Sequence, residues 1–154
     1  MLRMHDVVIA DTSCFIILSN INELNLLQKV FGTIVTTPVI AREFGDPLPD
    51  WIIIKSAEDY RKQKALEELV DKGKSSAIAL ALEMPQSLII LDDLQARSVA
   101  ENLGISITGT IGVLVKAKLM GIIPSIKPLL SKIKQTNFRI TLAIEAIALK
   151  EAGE

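Results

Sequence analysis

Two short apolar segments of this 154-residue chain run straight into carboxylates: Val7–Ala10 into Asp11-Thr12-Ser13, and Leu88–Leu91 into Asp92-Asp93. A third acid, Glu43, lies in the segment opened by Pro38. Carboxylates gathered from separate segments repel one another unless a hard cation sits between them. Mg2+ or Mn2+ held by such oxygens could orient a water, lower its pKa and neutralise charge developing on a phosphate oxygen. These residues therefore outline metal-dependent phosphodiester hydrolysis, a chemistry that needs no histidine. Taken singly, Asp11, Asp92 and Asp93 each have an ordinary explanation as helix caps, and Glu43 as a solvated surface acid. Their convergence carries the argument.

The remaining chemistry is narrow. One cysteine, Cys14, and one histidine, His5, exclude an internal disulfide and Cys/His zinc sites. Cys14 has no histidine placed to activate it, so a buried free thiol is expected. A haloacid-dehalogenase-type phosphatase needs a second Asp two residues after the first, where this chain has Ser13. Asp11-Thr12-Ser13-Cys14-Phe15 lacks the glycines of a dinucleotide-binding turn, and Gly109-Thr110-Ile111-Gly112 lacks the spacing and Lys-Ser/Thr ending of a P-loop.

The elements that must position the acids alternate along the chain. Apolar runs at Val7–Ala10, Thr33–Thr36, Trp51–Lys55, Leu88–Leu91 and Ile105–Ile107 read as strands. Between them, Cys14–Ser19, Asn22–Phe31, Pro38–Phe44, Glu58–Val70, a run opened by Ser75 or Ser76, and Leu94–Leu103 read as helices, stopped at Gly32, Gly45 and Gly104. Three more helices follow, Thr110–Met120, Ser125–Lys134 and Thr141–Ala152. This alternation predicts an α/β fold, a three-layer α/β/α domain with a mostly parallel sheet of about five strands. Acids at the ends of parallel strands emerge at one sheet edge, where open α/β sheets bind ligands.

At 154 residues and 49% hydrophobic content the chain is one domain, with 124–154 as a helical extension. A net charge of −1 and a pI near 5.9 exclude a protein that coats nucleic acid by bulk charge. The distribution is uneven: residues 102–144 carry Lys116, Lys118, Lys127, Lys132, Lys134 and Arg139 with no acid. They form either solvated helix faces or a phosphate-contacting surface. Residues 1–6 lead into a strand rather than a signal-peptide core, and no apolar run approaches the ~18 residues of a membrane span, so a cytoplasmic protein is expected. The apolar face of Ile140–Leu149 is a candidate docking stripe for a second copy or another protein.

At several places together the sequence resembles the PIN domains, small metal-dependent ribonucleases that include VapC-type toxins of toxin–antitoxin pairs. The resemblance rests on Val8-Ile9-Ala10-Asp11-Thr12-Ser13, Thr37-Pro38-Val39-Ile40-Ala41-Arg42-Glu43, Ala77-Ile78-Ala79-Leu80-Ala81, and Leu91-Asp92-Asp93 with Ala96-Arg97 and Ala100. Thr108–Leu114 with Ala117-Lys118 and Gly121 is similar to the tail of an uncharacterised VapC-like branch.

The resemblance implies an acidic pocket of Asp11, Glu43 and Asp92 or Asp93 binding Mg2+ or Mn2+ and cleaving RNA. Thr12, Ser13, Ser76 and Thr110 would be hydroxyl neighbours, and Lys74, Arg97, Lys116 and Lys118 contacts to RNA. An antitoxin protein is the partner a toxin role implies; the high apolar content suits packing on a second copy, so a homodimer is expected, and no membrane partner is. One departure stands out. Family members usually carry a further acid where this chain reads Gly73-Lys74-Ser75-Ser76. Replacing acids by Lys74 and Ser76 should weaken cation affinity and lets the Lys74 ammonium take the place of a metal. A catalytically weakened module that binds RNA or protein is the alternative.

Overall fold

A computed structural model describes His5 and residues 7–154; the expected lead-in over residues 1–6 falls largely outside the described residues. Strands β1 (Val7–Ala10), β2 (Ile34–Thr36), β3 (Ile52–Ile54), β4 (Ser87–Ile90) and β5 (Ser106–Thr108) form one all-parallel sheet in the order β3-β2-β1-β4-β5. Parallel strands require crossovers, supplied here by helices. These are α1 (Thr12–Asn20) and α2 (Leu26–Phe31), α3 (Pro38–Phe44), α4 (Tyr60–Leu66) and α5 (Lys72–Glu83), and α6 (Leu94–Asn102). Helices α7 (Thr110–Leu119), α8 (Lys127–Lys134) and α9 (Leu142–Glu151) follow β5.

Right-handed crossovers put the helices of the outward path, β1 to β3, on one face and those of the return, β3 to β5, on the other. Accordingly α1, α2 and α7 pack together, while α5 lies on β1 and β4, and α6 on β5. The result is the expected three-layer α/β/α sandwich. Its two central strands are covered on both faces, which is why they consist of apolar residues without alternation: Ile9, Ala10, Ile89 and Ile90 are fully buried. β1 and β4 pair in register from Val7↔Ser87 to Ala10↔Ile90. Chain direction across the sheet reverses between them, so their carboxyl ends border the crevice where such sheets take ligands.

Local chemistry moves several boundaries. Asn22 adopts φ 58°, a left-handed turn, so α2 begins at Leu26 and not at Asn22. Asp59 accepts hydrogen bonds from the Arg61 and Lys62 amides and starts α4 there. Ser75 and Ser76 do not open α5. Asp71 does, accepting from the Lys74 amide at 3.0 Å, so Lys72 and Gly73 form the first turn of the helix. The segment 124–154 is continuous with the main core: Ile126, Leu129, Leu130, Ile133, Ala148 and Ala152 are buried in one cluster with β1 and β4. Glu154 fastens this end, taking hydrogen bonds from the Ser125 hydroxyl, the Ile126 amide (2.7 Å) and Lys118 (3.3 Å). The proposed stripe of α9 is therefore divided, Ala148 facing the domain while Ile144 and Ile147 face outward.

Candidate functional site

Asp11 follows β1 at the N-cap position of α1, and its extended backbone (φ −87°, ψ 168°) suits a cap. Its side chain makes no capping bond. It is 1% exposed, and neither carboxylate oxygen has a hydrogen-bond partner. The nearest opposite charge is Lys74 Nζ, 3.8 Å from Oδ2. Burial pushes the Asp11 carboxyl up to about 6; the nearby Thr12 amide, though outside hydrogen-bond geometry, and the Lys74 charge hold it down, and Asp71 and Glu43 add to the rise.

Asp92, beyond β4, is held in one orientation. Thr110 donates to it twice, from its amide to Oδ1 (2.8 Å) and from its hydroxyl to Oδ2 (2.7 Å), and Ser13 donates to Oδ2 (2.7 Å). Asp93 caps α6 by accepting from the Ala96 amide at 2.8 Å, and its charge still acts on Lys74. Of the adjacent pair, Asp92 is the one fixed by Ser13 and Thr110, while Asp93 engages one oxygen as the cap of α6. The Leu94 helix needs an N-cap acceptor three residues before Ala96, and only one of the two aspartates can supply it.

Glu43, in the last turn of α3, accepts from the Thr12 hydroxyl through Oε1 at 2.7 Å. It lies so close to α5 that a Cβ on Gly73 would stand 2.1 Å from Oε1. Glycine at 73 thus admits the carboxylate, a requirement invisible in the sequence. Gly109 similarly gives way to Asp92 and Arg97, each 3.1 Å from where its Cβ would stand.

At the start of α5, Lys74 bridges two acids. Its ammonium is 2.9 Å from Asp71 and 3.8 Å from Asp11. Burial pulls the Lys74 ammonium down, but the Asp71 hydrogen bond and the charges of Asp11, Asp71 and Asp93 outweigh it and leave it raised. Asp71 is lowered, burial being outweighed by the amide, side chain and charge of Lys74. Ser76 is buried, with its hydroxyl 2.6 Å from the Gly73 carbonyl and 2.7 Å from Thr37 Oγ1.

Three further basic residues lie apart from Asp11. Arg97 binds the Leu91 carbonyl at 2.7 Å, beneath Asp92. Lys116 lies over the Phe31 ring, 5.1 Å from its centroid, and Lys118 pairs with Glu154. Both occupy the last turn of α7, about 10 Å along the helix from Thr110 at the edge, so the structure does not bring them to the acids. Cys14 is fully buried, its thiol pushed up first by burial and then by Asp92, as expected of a structural cysteine.

Among the described residues no group of three or more His, Cys, Asp or Glu side chains is disposed to hold a metal. An all-protein cage is thus not built here. Mg2+, however, is commonly held by one or two carboxylates together with waters and substrate phosphate. Asp11, buried and without a hydrogen-bond donor, and Asp92, across the β1–β4 crevice, fit that kind of site in donor type; Glu43 forms its third side. No curated protein and no solved structure matches the chain. A family model, DUF3368, described as a PIN domain, matches residues 7–154. That span takes in all five strands and every residue of the acidic edge, and by it the chain belongs to the PIN-domain family, a nuclease-type fold.

Proposed function

We propose that this protein is a Mg2+- or Mn2+-dependent endoribonuclease of the PIN type, hydrolysing RNA phosphodiester bonds at the edge formed by Asp11, Glu43 and Asp92. One observation carries the proposal: a buried carboxylate at the end of the central strand has both oxygens without a hydrogen-bond partner. Isolated buried carboxylates are costly, and such a group is kept where a cation or a reaction uses it. When bound, a divalent cation supplies Lewis-acid charge neutralisation and a water acidic enough to attack at neutral pH.

The chain's own residues do the positioning. Asp11, with its carboxyl at about 6, is largely ionised at neutral pH and offers hard oxygen ligands. Ser13 and Thr110 fix the Asp92 carboxylate, so no reorganisation is needed when charge develops beside it. Thr12 occupies Glu43 Oε1, leaving Oε2 to take a proton from the attacking water. In a toxin role, an antitoxin protein would cover this edge, and a homodimer would be the unit it binds.

Lys74 Nζ, 3.8 Å from Asp11, favours a second function: a PIN module whose internal ammonium stands in for the metal and which binds RNA without cutting it. Incubating purified protein with single-stranded RNA in Mn2+, in Mg2+ and in EDTA separates the two. Metal-dependent cleavage lost in Asp11→Asn and Asp92→Asn is the expected result. Binding that is indifferent to metal and to both substitutions, with no cleavage, would instead establish the module.

A further inference from the structure

A second hollow, of about 330 Å3, opens beside the acidic edge on the other side of α3 and α5. Its volume is in the range of small-ligand sites. Arg42 and Lys72 supply cations, Tyr60 an exposed ring, and Thr37, Ser76 and Gln63 buried polar groups; no acid lines it. The hollow and the acidic edge share their walls. Arg42 and Glu43 are consecutive on α3, turned about 100° apart, one toward each. Ser76 on the hollow's floor donates to Gly73, and Gly73 is the residue against which Glu43 packs.

The floor's hydroxyls favour one hydrogen-bond polarity. Ser76 lies 2.6 Å from the Gly73 carbonyl, and where its hydrogen goes there it accepts in the 2.7 Å contact with Thr37. Thr37 spends its hydrogen there and also accepts from the Ile40 amide. Both hydroxyls then have only lone pairs left, and a ligand group resting on them must be a donor. A ribose 2′-hydroxyl is such a donor, and it is the group by which RNA differs from DNA.

We propose that this hollow seats one nucleotide of a single-stranded RNA adjacent to the phosphodiester bond held at the acidic edge. Tyr60 stacks on its base, Arg42 and Lys72 hold its phosphate, and the Thr37–Ser76 pair accepts from its 2′-hydroxyl. The RNA substrate rests on the nuclease reading given above; the existence and polarity of the subsite do not.

The test is fluorescence anisotropy of a labelled single-stranded RNA oligomer, and of DNA of the same sequence, in EDTA. It compares the wild type with Tyr60→Ala and Arg42→Gln, both exposed positions whose substitution leaves the core intact. Each substitution is expected to raise the Kd for RNA about tenfold, the size of one lost base stack or phosphate contact. Wild type is expected to prefer RNA over DNA, with the preference reduced in Ser76→Ala. In Mn2+, Tyr60→Ala should raise KM and leave kcat unchanged. Unaltered RNA binding and KM in both exposed variants, with a wild type that binds and cuts, overturns the subsite and leaves the nuclease standing. Hollow-dependent RNA binding without cleavage supports the subsite and overturns the nuclease, and no RNA binding by wild type overturns both.

Discussion

Replacing Asp11 by Asn should stabilise the protein at neutral pH, although it removes a charge from the proposed centre. The native carboxyl is raised from 3.8 to about 6, chiefly by burial. A folded-state pKa above the unfolded one means that the native protein holds this proton more tightly. The favourable contribution is therefore full below about pH 4 and is lost as pH rises through about 6. A shift of this size corresponds to about 3 kcal/mol of native-state destabilisation at pH 7.5. Asn keeps the shape without the charge. It also leaves Lys74 with Asp71 as its close partner, so a net gain of about 2 kcal/mol is expected, or roughly 4–8 °C in Tm for a chain of this size.

Urea unfolding of both proteins in EDTA from pH 4 to pH 8 measures this directly. The Asn variant should be more stable at pH 7.5 with an unchanged m-value, and the gap should close toward pH 4. Adding Mn2+ at pH 7.5 should narrow the gap from the other side, because a ligand that binds only native wild type stabilises only wild type. An Asn variant less stable than wild type at pH 7.5, or a gap that does not change with pH, refutes the assignment of Asp11 as a buried carboxylate whose burial outweighs its pairing with Lys74.

Lys74→Glu removes the ammonium 3.8 Å from Asp11 and adds a carboxylate at the start of α5, so Mn2+ affinity should rise at least about tenfold, read from free Mn2+ by electron paramagnetic resonance. Gly73→Ala would normally stabilise a helix by about 1 kcal/mol, but its Cβ would stand 2.1 Å from Glu43 Oε1. Glu43 must then leave Thr12, and RNA cleavage should fall about tenfold or more without a large change in Tm. Glu154, depressed to about 2 first by the Ser125 hydrogen bond and then by the Ile126 amide, stabilises the fold above the ordinary carboxylate range and loses that contribution as pH falls through about 2. Thermal melts of Glu154→Gln should therefore lie below wild type at pH 7 and converge with it in acid.

The sheet was legible because its central strands are buried on both faces and so consist of unbroken apolar runs, each followed by an acid. Helix α3 could be read to the residue, since Pro38 suits the first helical position and Gly45, at φ 84°, the turn after the last. The start of α5 was misplaced because serine and aspartate are both good caps and Gly73 resembles a breaker. Only the packing of Glu43 on Gly73 shows why that glycine lies within a helix. Asp92 and Asp93 could not be told apart, because which one caps α6 depends on Ser13 and Thr110, residues 79 and 18 positions away from Asp92. The hollow at Tyr60 left no trace in the sequence, as its lining comes from three separate helices and the loop after β3.

Lys74 and Asp11 make one electrostatic unit. An acid at position 74 would strengthen a metal site but would leave Asp11, at 1% exposure, facing another negative charge whenever no cation is bound. Without Lys74 beside it, Asp11 would hold its proton more tightly until a cation displaced that proton. Lys74 prevents this from 3.8 Å, too far for a hydrogen bond and close enough to hold down the Asp11 pKa. It is itself tethered at 2.9 Å to Asp71, which is more than half exposed. A flexible ammonium with a second partner can turn toward Asp71 when a stronger cation approaches Asp11, keeping one ion pair as it gives up the other. If the proposed metal site exists, the lysine lowers its affinity while keeping Asp11 ionised, and weak metal binding and retained catalysis then belong together.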